Sequence, residues 1–297
     1  MAKYICIDIG GTAIKYGIIG SDNTILTKSQ MDTQAHKGGT AILEKVISIV
    51  QNAIDEYSKE IAGICISTAG MVDDKKGEIF YSGPLIPNYA GTKFKKVLEE
   101  KFRIPCEVEN DVNCAGLAEY KTGAGRNSSI MLMLTIGTGI GGCFIIDGKI
   151  FHGFSNSACE VGYMYMDGSD YQTLGAASIL TQKVAEWKRE SKDNWSGYRI
   201  FEEAKKGDEI CNRAIDEMSE EIAKGIANIC CVINPEIVVL GGGIMAQEEF
   251  LKDKIDAGVK KYLVSSIEKN TTIKFAKHRN DAGILGAYYN FCNKHSK

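Results

Sequence analysis

The sequence predicts an α/β protein of two lobes, and three observations support that fold class. Apolar runs of strand length alternate with segments whose apolar residues recur every three or four positions, the pattern of strands alternating with amphipathic helices. The chain has 297 residues, a length that favours two lobes over one large core. Two apolar strands end in similar Gly/Thr turns and return as second strands, which indicates duplicated halves.

The first of these turns follows a strand that contains Asp8. A carboxylate inside an apolar strand is costly unless a metal ion or its hydration shell compensates it. Gly10 and Gly11 would let the backbone approach a bulky anion closely. Backbone N–H groups and the side chains of Thr12 and Lys15 would then face phosphate oxygens. The stretch therefore predicts a phosphate and Mg²⁺ turn, and a plain Gly-Gly hairpin between two strands is the alternative.

The second turn follows the apolar strand at residues 130–136, and its phosphate-facing candidates are Thr138 and Gly139. A third glycine cluster, at 241–243, comes directly after another apolar strand and could form a surface for the flat face of an adenosine. Two similar turns far apart in the chain suggest that a nucleotide is held between the two halves.

The helices follow from the spacing of apolar residues. The pattern predicts helices over residues 40–54, 94–102, 176–189 and 209–233, with a loop at 195–198. The last of these helices is stopped by Asn234-Pro235. Its long apolar stripe predicts either packing in a core or a dimer surface.

A polar cluster, Glu-Asn-Asp-Val-Asn, spans residues 109–113 at the end of another strand. Asn and Asp often cap helices, so the cluster alone favours an N-cap for a helix over residues 115–121. A carboxylate at this position can also serve as a base. Both roles are compatible, because a helix N-terminus favours the ionised form of an Asp.

Four motifs in this order resemble the sugar kinases of the ROK family: Asp8-Ile-Gly10-Gly11-Thr12, Glu109-Asn110-Asp111-Val-Asn113, Ile136-Gly137-Thr138-Gly139-Ile-Gly141-Gly142 and Glu160-Val-Gly162-Tyr163. The match runs over nearly the whole chain. It implies an actin-like ATPase (ribonuclease H-like) fold of two lobes with the active site in the cleft. The expected lobes are a small one from residues 1–112, joined by a C-terminal helix at 283–297, and a larger one from 113–282.

The resemblance also implies roles for individual residues. A kinase places a carboxylate beside the sugar hydroxyl to accept its proton, and Asp111 matches that base. Asn110 would orient the sugar, and Gly70, in the turn after the strand at 61–67, would lie beside it. ATP with Mg²⁺ would bind the two Gly/Thr turns and Gly242, and Asp8 would hold the Mg²⁺ indirectly.

The fourth motif departs from the family pattern. Many members carry His where Tyr163 stands, followed by a short Cys cluster, and these residues hold a structural zinc near the sugar. Residues 167–178 contain neither Cys nor His, and Cys159 is the one nearby ligand, so no zinc is predicted. Glu160 would bind a sugar hydroxyl and Tyr163 would replace the His contact. A Tyr packed in the core is the alternative for Tyr163.

N-acetyl-D-mannosamine, phosphorylated at its 6-hydroxyl, is the first expected substrate, because residues 77–92 resemble a loop of bacterial N-acetylmannosamine kinases. Glucose or a β-glucoside is the second, because some kinases for those sugars also carry Glu-x-Gly-Tyr. A non-catalytic sugar-sensing protein is an alternative of another class. DNA-binding repressors of the family add an N-terminal helix-turn-helix, of which this chain shows no trace. A Rossmann dehydrogenase is disfavoured, because Gly-Ile-Gly-Gly at 139–142 is not a full G-x-G-x-x-G fingerprint that opens a helix.

Composition sets the remaining expectations. The formal net charge of −3 gives no electrostatic footprint for nucleic acid. The first strand begins near residue 1 and no apolar run reaches membrane-spanning length, so the protein is expected to be soluble and cytoplasmic with no membrane partner. The ten cysteines, none in a C-x-x-C pair, are expected to be reduced core residues. The family suggests a homodimer.

Overall fold

The computed structural model describes residues 1–295, apart from the side chain of residue 59. The strands are β1 Lys3–Ile9, β2 Ala13–Gly20, β3 Ile25–Asp32, β4 Ile61–Thr68, β5 Met71–Asp73, β6 Glu78–Tyr81, β7 Cys106–Asn110, β8 Ile130–Ile136, β9 Ile140–Ile146, β10 Lys149–Ile150, β11 Tyr165–Met166, β12 Ser169–Asp170, β13 Ile237–Gly241 and β14 Thr272–Phe275. The helices are α1 Gly38–Tyr57, α2 Phe94–Phe102, α3 Asp111–Thr122, α4 Tyr171–Gly175, α5 Ala177–Lys188, α6 Gly197–Lys205, α7 Glu209–Ile233, α8 Glu248–Tyr262, α9 Ser265–Glu268 and α10 Ala282–His295. Within this part of the chain no helix is both long enough and apolar enough to span a bilayer.

The chain divides into two compact units, described in turn. Unit 1 contains residues 1–121, His152–Ala158 and the described residues from Asn280 onward. Unit 2 contains Thr122–Phe151 and Cys159–Arg279. The expected helix at 283–297 corresponds to α10, and its last two residues lie outside the described residues.

Unit 1 is built on a five-stranded sheet of order β3-β2-β1-β4-β7. The pairs β1/β2 and β2/β3 are antiparallel, whereas β1/β4 and β4/β7 are parallel. Side chains of a strand alternate between the two faces of its sheet. On β1, Ile5, Ile7 and Ile9 join the buried cluster that contains residues of α1 and α2.

The other face of this sheet packs against α10. Tyr4 stacks edge-on against Tyr288 and Phe291 of that helix, with ring centroids 5.1 and 5.5 Å away. Gly63 of β4 leaves room for the Phe291 ring, since a β-carbon there would overlap it. The alternation of β1 therefore turns Asp8 toward α10 as well, and that places a carboxylate beneath a helix.

Unit 2 repeats the plan of unit 1. Its sheet has the order β10-β9-β8-β13-β14, with β8/β9 and β9/β10 antiparallel and β8/β13 and β13/β14 parallel. In each unit a three-stranded meander is followed by two parallel strands. This equivalence confirms the duplicated halves expected from the two Gly/Thr turns.

Helix α7 forms the core of unit 2. The predicted bounds of 209–233 agree with the structure, and the apolar stripe is buried against strands β8 and β13 and helices α5 and α8. The stripe is therefore core, and a homodimer would need another surface. The predicted loop at 195–198 is wrong from Gly197 onward, because α6 begins there with the Ser196 hydroxyl accepting from Arg199 N–H.

Candidate active site

Asp8 lies on β1 with its carboxylate turned toward the first turn of α10. Its Oδ1 accepts a hydrogen bond of 2.7 Å from Ser67 Oγ, because the parallel register places Ser67 of β4 beside Asp8. Burial raises the pKa of Asp8, while the Ser67 hydroxyl and the charge of Lys15 act in the opposite direction. The N-terminal end of a helix favours a negative charge. A carboxylate held this way can bind a hydrated cation.

The turn from Gly10 to Thr12 joins β1 to β2, so it is the tight hairpin that the alternative interpretation required. Gly10 N–H donates to Ala13 O at 3.0 Å, and Thr33 Oγ donates to Gly10 O at 2.7 Å. Gly11 and Thr12 are exposed at the tip. Lys15 stands opposite Asp8 on β2. A hairpin and an anion-binding turn are compatible, because the tip is both fixed by hydrogen bonds and open to solvent.

The cluster at 109–113 forms the start of α3. The helix begins at Asp111, four residues before the predicted Ala115, because Asn110 caps it. Asn110 Oδ1 accepts from Val112 N–H at 2.9 Å and from Asn113 N–H at 3.1 Å. The N-cap interpretation is thus correct for Asn110.

The amide of Asn110 also links the two predicted sugar-facing groups. Its Nδ2 donates to Asp111 Oδ1 at 3.1 Å and to Gly70 O at 3.0 Å. Gly70 has φ +93°, a conformation that strongly favours glycine, and it ends the turn between β4 and β5. Gly70, Asn110 and Asp111 therefore form one hydrogen-bonded group at the ends of adjacent parallel strands, where ligands bind in open α/β sheets.

Behind this group lies an ion pair that the sequence did not indicate. Glu109 is 1% exposed, and its Oε2 lies 2.8 Å from His152 Nε2. Burial alone would raise the pKa of Glu109, but the hydrogen bond and charge of His152, with donors from Asn113 and Asn110, leave it below its ordinary value. The sequence showed no cluster among its four histidines, and a contact across 43 positions leaves no local pattern.

Acidic groups of unit 1 lie near the buried thiol of Cys114, two of them on strands that pair in register with β4. Burial first, and then the negative charges of Glu109, Asp8 and Asp111, raise its pKa well above the ordinary value. Ser67 of β4 pairs with Asp8 of β1 on one side and with Glu109 of β7 on the other. The predicted cation anchor and the predicted base therefore lie at one end of the same sheet.

In unit 2 the turn from Gly137 to Gly139 joins β8 to β9. Gly137 N–H donates to Gly139 O at 2.9 Å, and Ser178 Oγ donates to Thr138 O at 2.6 Å. A β-carbon at residue 139 would lie 2.7 Å from Gln172 Oε1, so a side chain there would require the flexible Gln172 amide to move. The turn has the same place in unit 2 as Gly10 to Thr12 has in unit 1.

Gly242 follows β13 beside this second turn. It has φ +99°, and a β-carbon at this residue would overlap the backbone of Ile136, the last residue of β8. Only glycine fits such a close approach. Gly242 and the turn after Ile136 are thereby brought together in unit 2, as a common nucleotide surface would require.

Glu160 precedes a short 3-10 helix of unit 2, Val161–Tyr163, and the N–H of Tyr163, its last residue, donates to Glu160 O at 3.2 Å. Burial raises the pKa of the half-buried Glu160. Tyr163 is 52% exposed, so the alternative of a core tyrosine is wrong. Among the residues with described placement, no group of three or more His, Cys, Asp or Glu is arranged to hold a metal ion.

Comparison with known proteins gives a consistent result. The sequence model of the ROK family matches residues 4–293. An uncharacterized protein of Clostridium perfringens is 50% identical over 297 residues, covering 100% of both chains. A beta-glucoside kinase of Listeria monocytogenes is 30% identical over 303 residues, covering 99% of each.

Among solved structures, a Listeria monocytogenes protein described as a proposed N-acetylmannosamine kinase superposes with a TM-score of 0.88. It is 28% identical, and the alignment covers 99% of this chain and 100% of that one. The architecture with two five-stranded sheets is the actin-like ATPase fold of these neighbours.

Proposed function

The chain belongs to the ROK family, and we propose that, as a sugar kinase of that family, it transfers the γ-phosphoryl group of MgATP to a hexose hydroxyl with Asp111 as general base. The observation that carries this proposal is the hydrogen-bonded group of Gly70, Asn110 and Asp111 at the start of α3. It combines a carboxylate with an amide that fixes its orientation, which is what proton abstraction from a hydroxyl requires.

Two features of the group suit the reaction. The start of α3 favours the ionised carboxylate, the form that can accept a proton. Asn110 is itself held by the cap, so the Asp111 side chain has a fixed neighbour. A base fixed before the substrate arrives loses little orientational freedom in the transition state.

MgATP is the co-substrate in this proposal. Its phosphates would bind the residues of the two Gly/Thr turns, with Gly242 in contact with the nucleoside. The phosphate-binding residues proposed are Gly10, Gly11, Thr12, Lys15, Thr138 and Gly139. When bound, Mg²⁺ would supply positive charge to the transferred phosphoryl group. Asp8 would hold the hydration shell of that ion, a role that suits a buried carboxylate whose described hydrogen-bond donor is Ser67.

N-acetyl-D-mannosamine, phosphorylated at its 6-hydroxyl, is the first proposed sugar. The similarity to a protein described as a proposed N-acetylmannosamine kinase supports it. A β-glucoside or glucose is the second proposal, supported by the beta-glucoside kinase that is 30% identical over almost the whole chain. Glu160 and the exposed Tyr163 would contact the sugar in either case.

The test is ADP release with MgATP across N-acetylmannosamine, N-acetylglucosamine, glucose, mannose, fructose and cellobiose. Asp111→Asn is the background protein, and its kcat should fall by at least about a hundredfold while it still binds the sugar. The matched control is Asp216→Asn, which removes a carboxylate that is 58% exposed on α7.

A clear preference for one sugar, lost in Asp111→Asn and kept in Asp216→Asn, would establish the reaction, the substrate and the base. Undiminished turnover in Asp111→Asn would remove Asp111 from its role. No turnover with any sugar, in a protein that binds one by calorimetry, would favour the non-catalytic sensor.

A further inference from the structure

The ion pair of Glu109 and His152 is a largely buried charged contact near the proposed base. Glu109 is 1% exposed and the His152 side chain is 22% exposed, and both belong to unit 1. A buried carboxylate without partners would be expensive, and here both oxygens are used. Oε2 faces His152, and Oε1 accepts from Asn110 N–H at 2.8 Å and from Asn113 Nδ2 at 2.9 Å.

These contacts lead to the proposed base in two steps. Glu109 fixes Asn110 through its backbone N–H and fixes Asn113 in the first turn of α3. Asn110 in turn donates from its side chain to Asp111 Oδ1. His152 contacts Glu109, and Glu109 contacts Asn110, so a described chain of contacts joins the imidazole to the turn that carries the base.

The charges that face His152 come from three elements. Glu109 lies at the end of β7, Asp74 in the turn between β5 and β6, and Lys294 in the last turn of α10. Lys294 is itself 3.4 Å from Glu107 and 3.9 Å from Asp74, so its charge is shared with two carboxylates. Burial lowers the pKa of His152, but the hydrogen bond and charge of Glu109, with Asp74, leave it raised overall.

The segment that carries His152 is anchored independently of that histidine ring. Ala158 N–H donates to His152 O at 3.2 Å and closes the loop, and Ser157 Oγ lies 3.6 Å from Met71 Sδ. Removal of the imidazole therefore leaves two described anchors of the segment. The ring is available for a role other than holding the loop.

We propose that His152 is a positioning residue for phosphoryl transfer, which by its ion pair with Glu109 holds the Asn110–Asp111 turn in the geometry that proton abstraction needs. The inference rests on the proposed function, because it concerns the orientation of its base. In this proposal the contact between His152 and Glu109 does more than anchor a loop. Loss of a positioning contact would lower kcat, whereas loss of a loop anchor would change KM and thermal stability.

The experiment compares His152→Gln, His152→Ala and the control His36→Gln, which replaces an exposed histidine of unit 1. A Gln amide nitrogen can take the place of His Nε2 as a hydrogen-bond donor, but it carries no charge. We expect kcat to fall by about tenfold or more in His152→Ala and by less in His152→Gln, with the sugar KM changed by less than about threefold. His36→Gln should match the wild type.

The pH profile provides a readout that a loop anchor would not change. Because the imidazolium form persists to a higher pH than usual, wild-type kcat should decline as the pH rises through the titration of His152. This decline of kcat with rising pH should be absent in His152→Gln. The His152 C–H resonance, assigned by its loss in the variant, should titrate above the usual value of about 6.5 in the wild type and lower in Glu109→Gln.

The outcomes separate this inference from the proposed function. An active wild type whose kcat is unchanged in His152→Ala, or a loss confined to KM and to thermal stability, would overturn the positioning role alone. A wild type without activity on any sugar would overturn the kinase reaction and this role with it. Partial recovery of kcat in His152→Gln relative to His152→Ala would support both.

Discussion

Gly283, in the first turn of α10, packs directly on the carboxylate of Asp8. A β-carbon at residue 283 would overlap Cγ and both oxygens of that side chain, so glycine is what allows the carboxylate to lie against the helix. We predict that Gly283→Ala displaces Asp8 and lowers kcat with MgATP by about a hundredfold, the effect of misplacing a site group by about 1 Å. The measurement is steady-state kinetics with varied Mg²⁺, in which the apparent Mg²⁺ requirement should rise.

Gly197→Ala is the matched control, because a β-carbon at that position would meet only Ile244, at 3.9 Å or more. That substitution should leave kcat within about twofold of the wild type, since it introduces ordinary van der Waals contact. A Gly283→Ala protein with wild-type kcat and the same Mg²⁺ dependence would show that catalysis with MgATP does not depend on the observed position of the Asp8 carboxylate.

Cys159 adopts φ 63°, the left-handed conformation that favours glycine, directly before Glu160. A non-glycine residue in this conformation costs the folded state about 1–2 kcal/mol. Replacement by glycine removes that cost, but the greater conformational entropy of glycine in the unfolded chain cancels part of the stabilisation. We therefore expect Cys159→Gly to raise the free energy of unfolding by up to about 1 kcal/mol. Urea unfolding of the wild type and the variant measures this difference in free energy.

Cys231→Gly is the comparison for that substitution. Cys231 is exposed on α7, where glycine should lower the free energy of unfolding by up to about 1 kcal/mol. Effects of opposite sign would identify the backbone conformation of residue 159 as the cause. A loss of stability in Cys159→Gly would mean that the packing of the Cys159 side chain outweighs the strain.

The absence of a bound zinc is a prediction from the fourth motif. A structural zinc takes about four N or S ligands, and Tyr163 stands where the family often has a His ligand. Protein purified without chelators should contain less than about 0.1 zinc ion per chain, and dialysis against EDTA followed by Mg²⁺ should restore full activity. Close to one zinc per chain, with activity lost irreversibly on chelation, would contradict the prediction.

The fold was largely predictable because its signals are local. The stripe of α7 and its Asn234-Pro235 stop define that helix, and the two Gly/Thr turns mark equivalent places in the two sheets. Helix α6 was missed although Ser196 is a good N-cap and Ile200, Phe201 and Ala204 share one buried face, because nine residues are too few to make such a pattern stand out. Short helices depend more on tertiary packing than on their own pattern.

The site was less predictable because its partners are distant in sequence. Ser67 reaches Asp8 only through the register of two parallel strands, and His152 reaches Glu109 across 43 positions. Asn110, by contrast, was recognised as a cap from its neighbours alone. Hydrogen bonds between neighbouring residues leave a sequence signal, whereas contacts between residues far apart in the chain do not.

Asp208 caps α7 and pairs with Lys188, and these contacts make the stability of unit 2 depend on pH. Its Oδ1 accepts from Cys211 N–H at 2.9 Å, and its Oδ2 lies 2.5 Å from Lys188 Nζ. Lys188 first and the Cys211 N–H next lower the pKa of Asp208 to about 2. A lowered carboxyl pKa adds stability above the unfolded value of about 3.9, and the contribution is lost as the pH falls toward 2.

We therefore expect Asp208→Ala to cost about 1–2 kcal/mol in the free energy of unfolding at neutral pH, since both the cap and the ion pair are lost. Asp208→Asn, which keeps a capping oxygen without the charge, should cost less. The difference between wild type and Asp208→Asn should shrink between about pH 4 and pH 2 in urea unfolding, because the wild-type carboxyl protonates there. Asp216→Asn should show little effect, since exposed pairs contribute about 0–1 kcal/mol. A difference that stays constant down to the lowest pH at which the protein folds would mean that the charge of Asp208 does not stabilise α7.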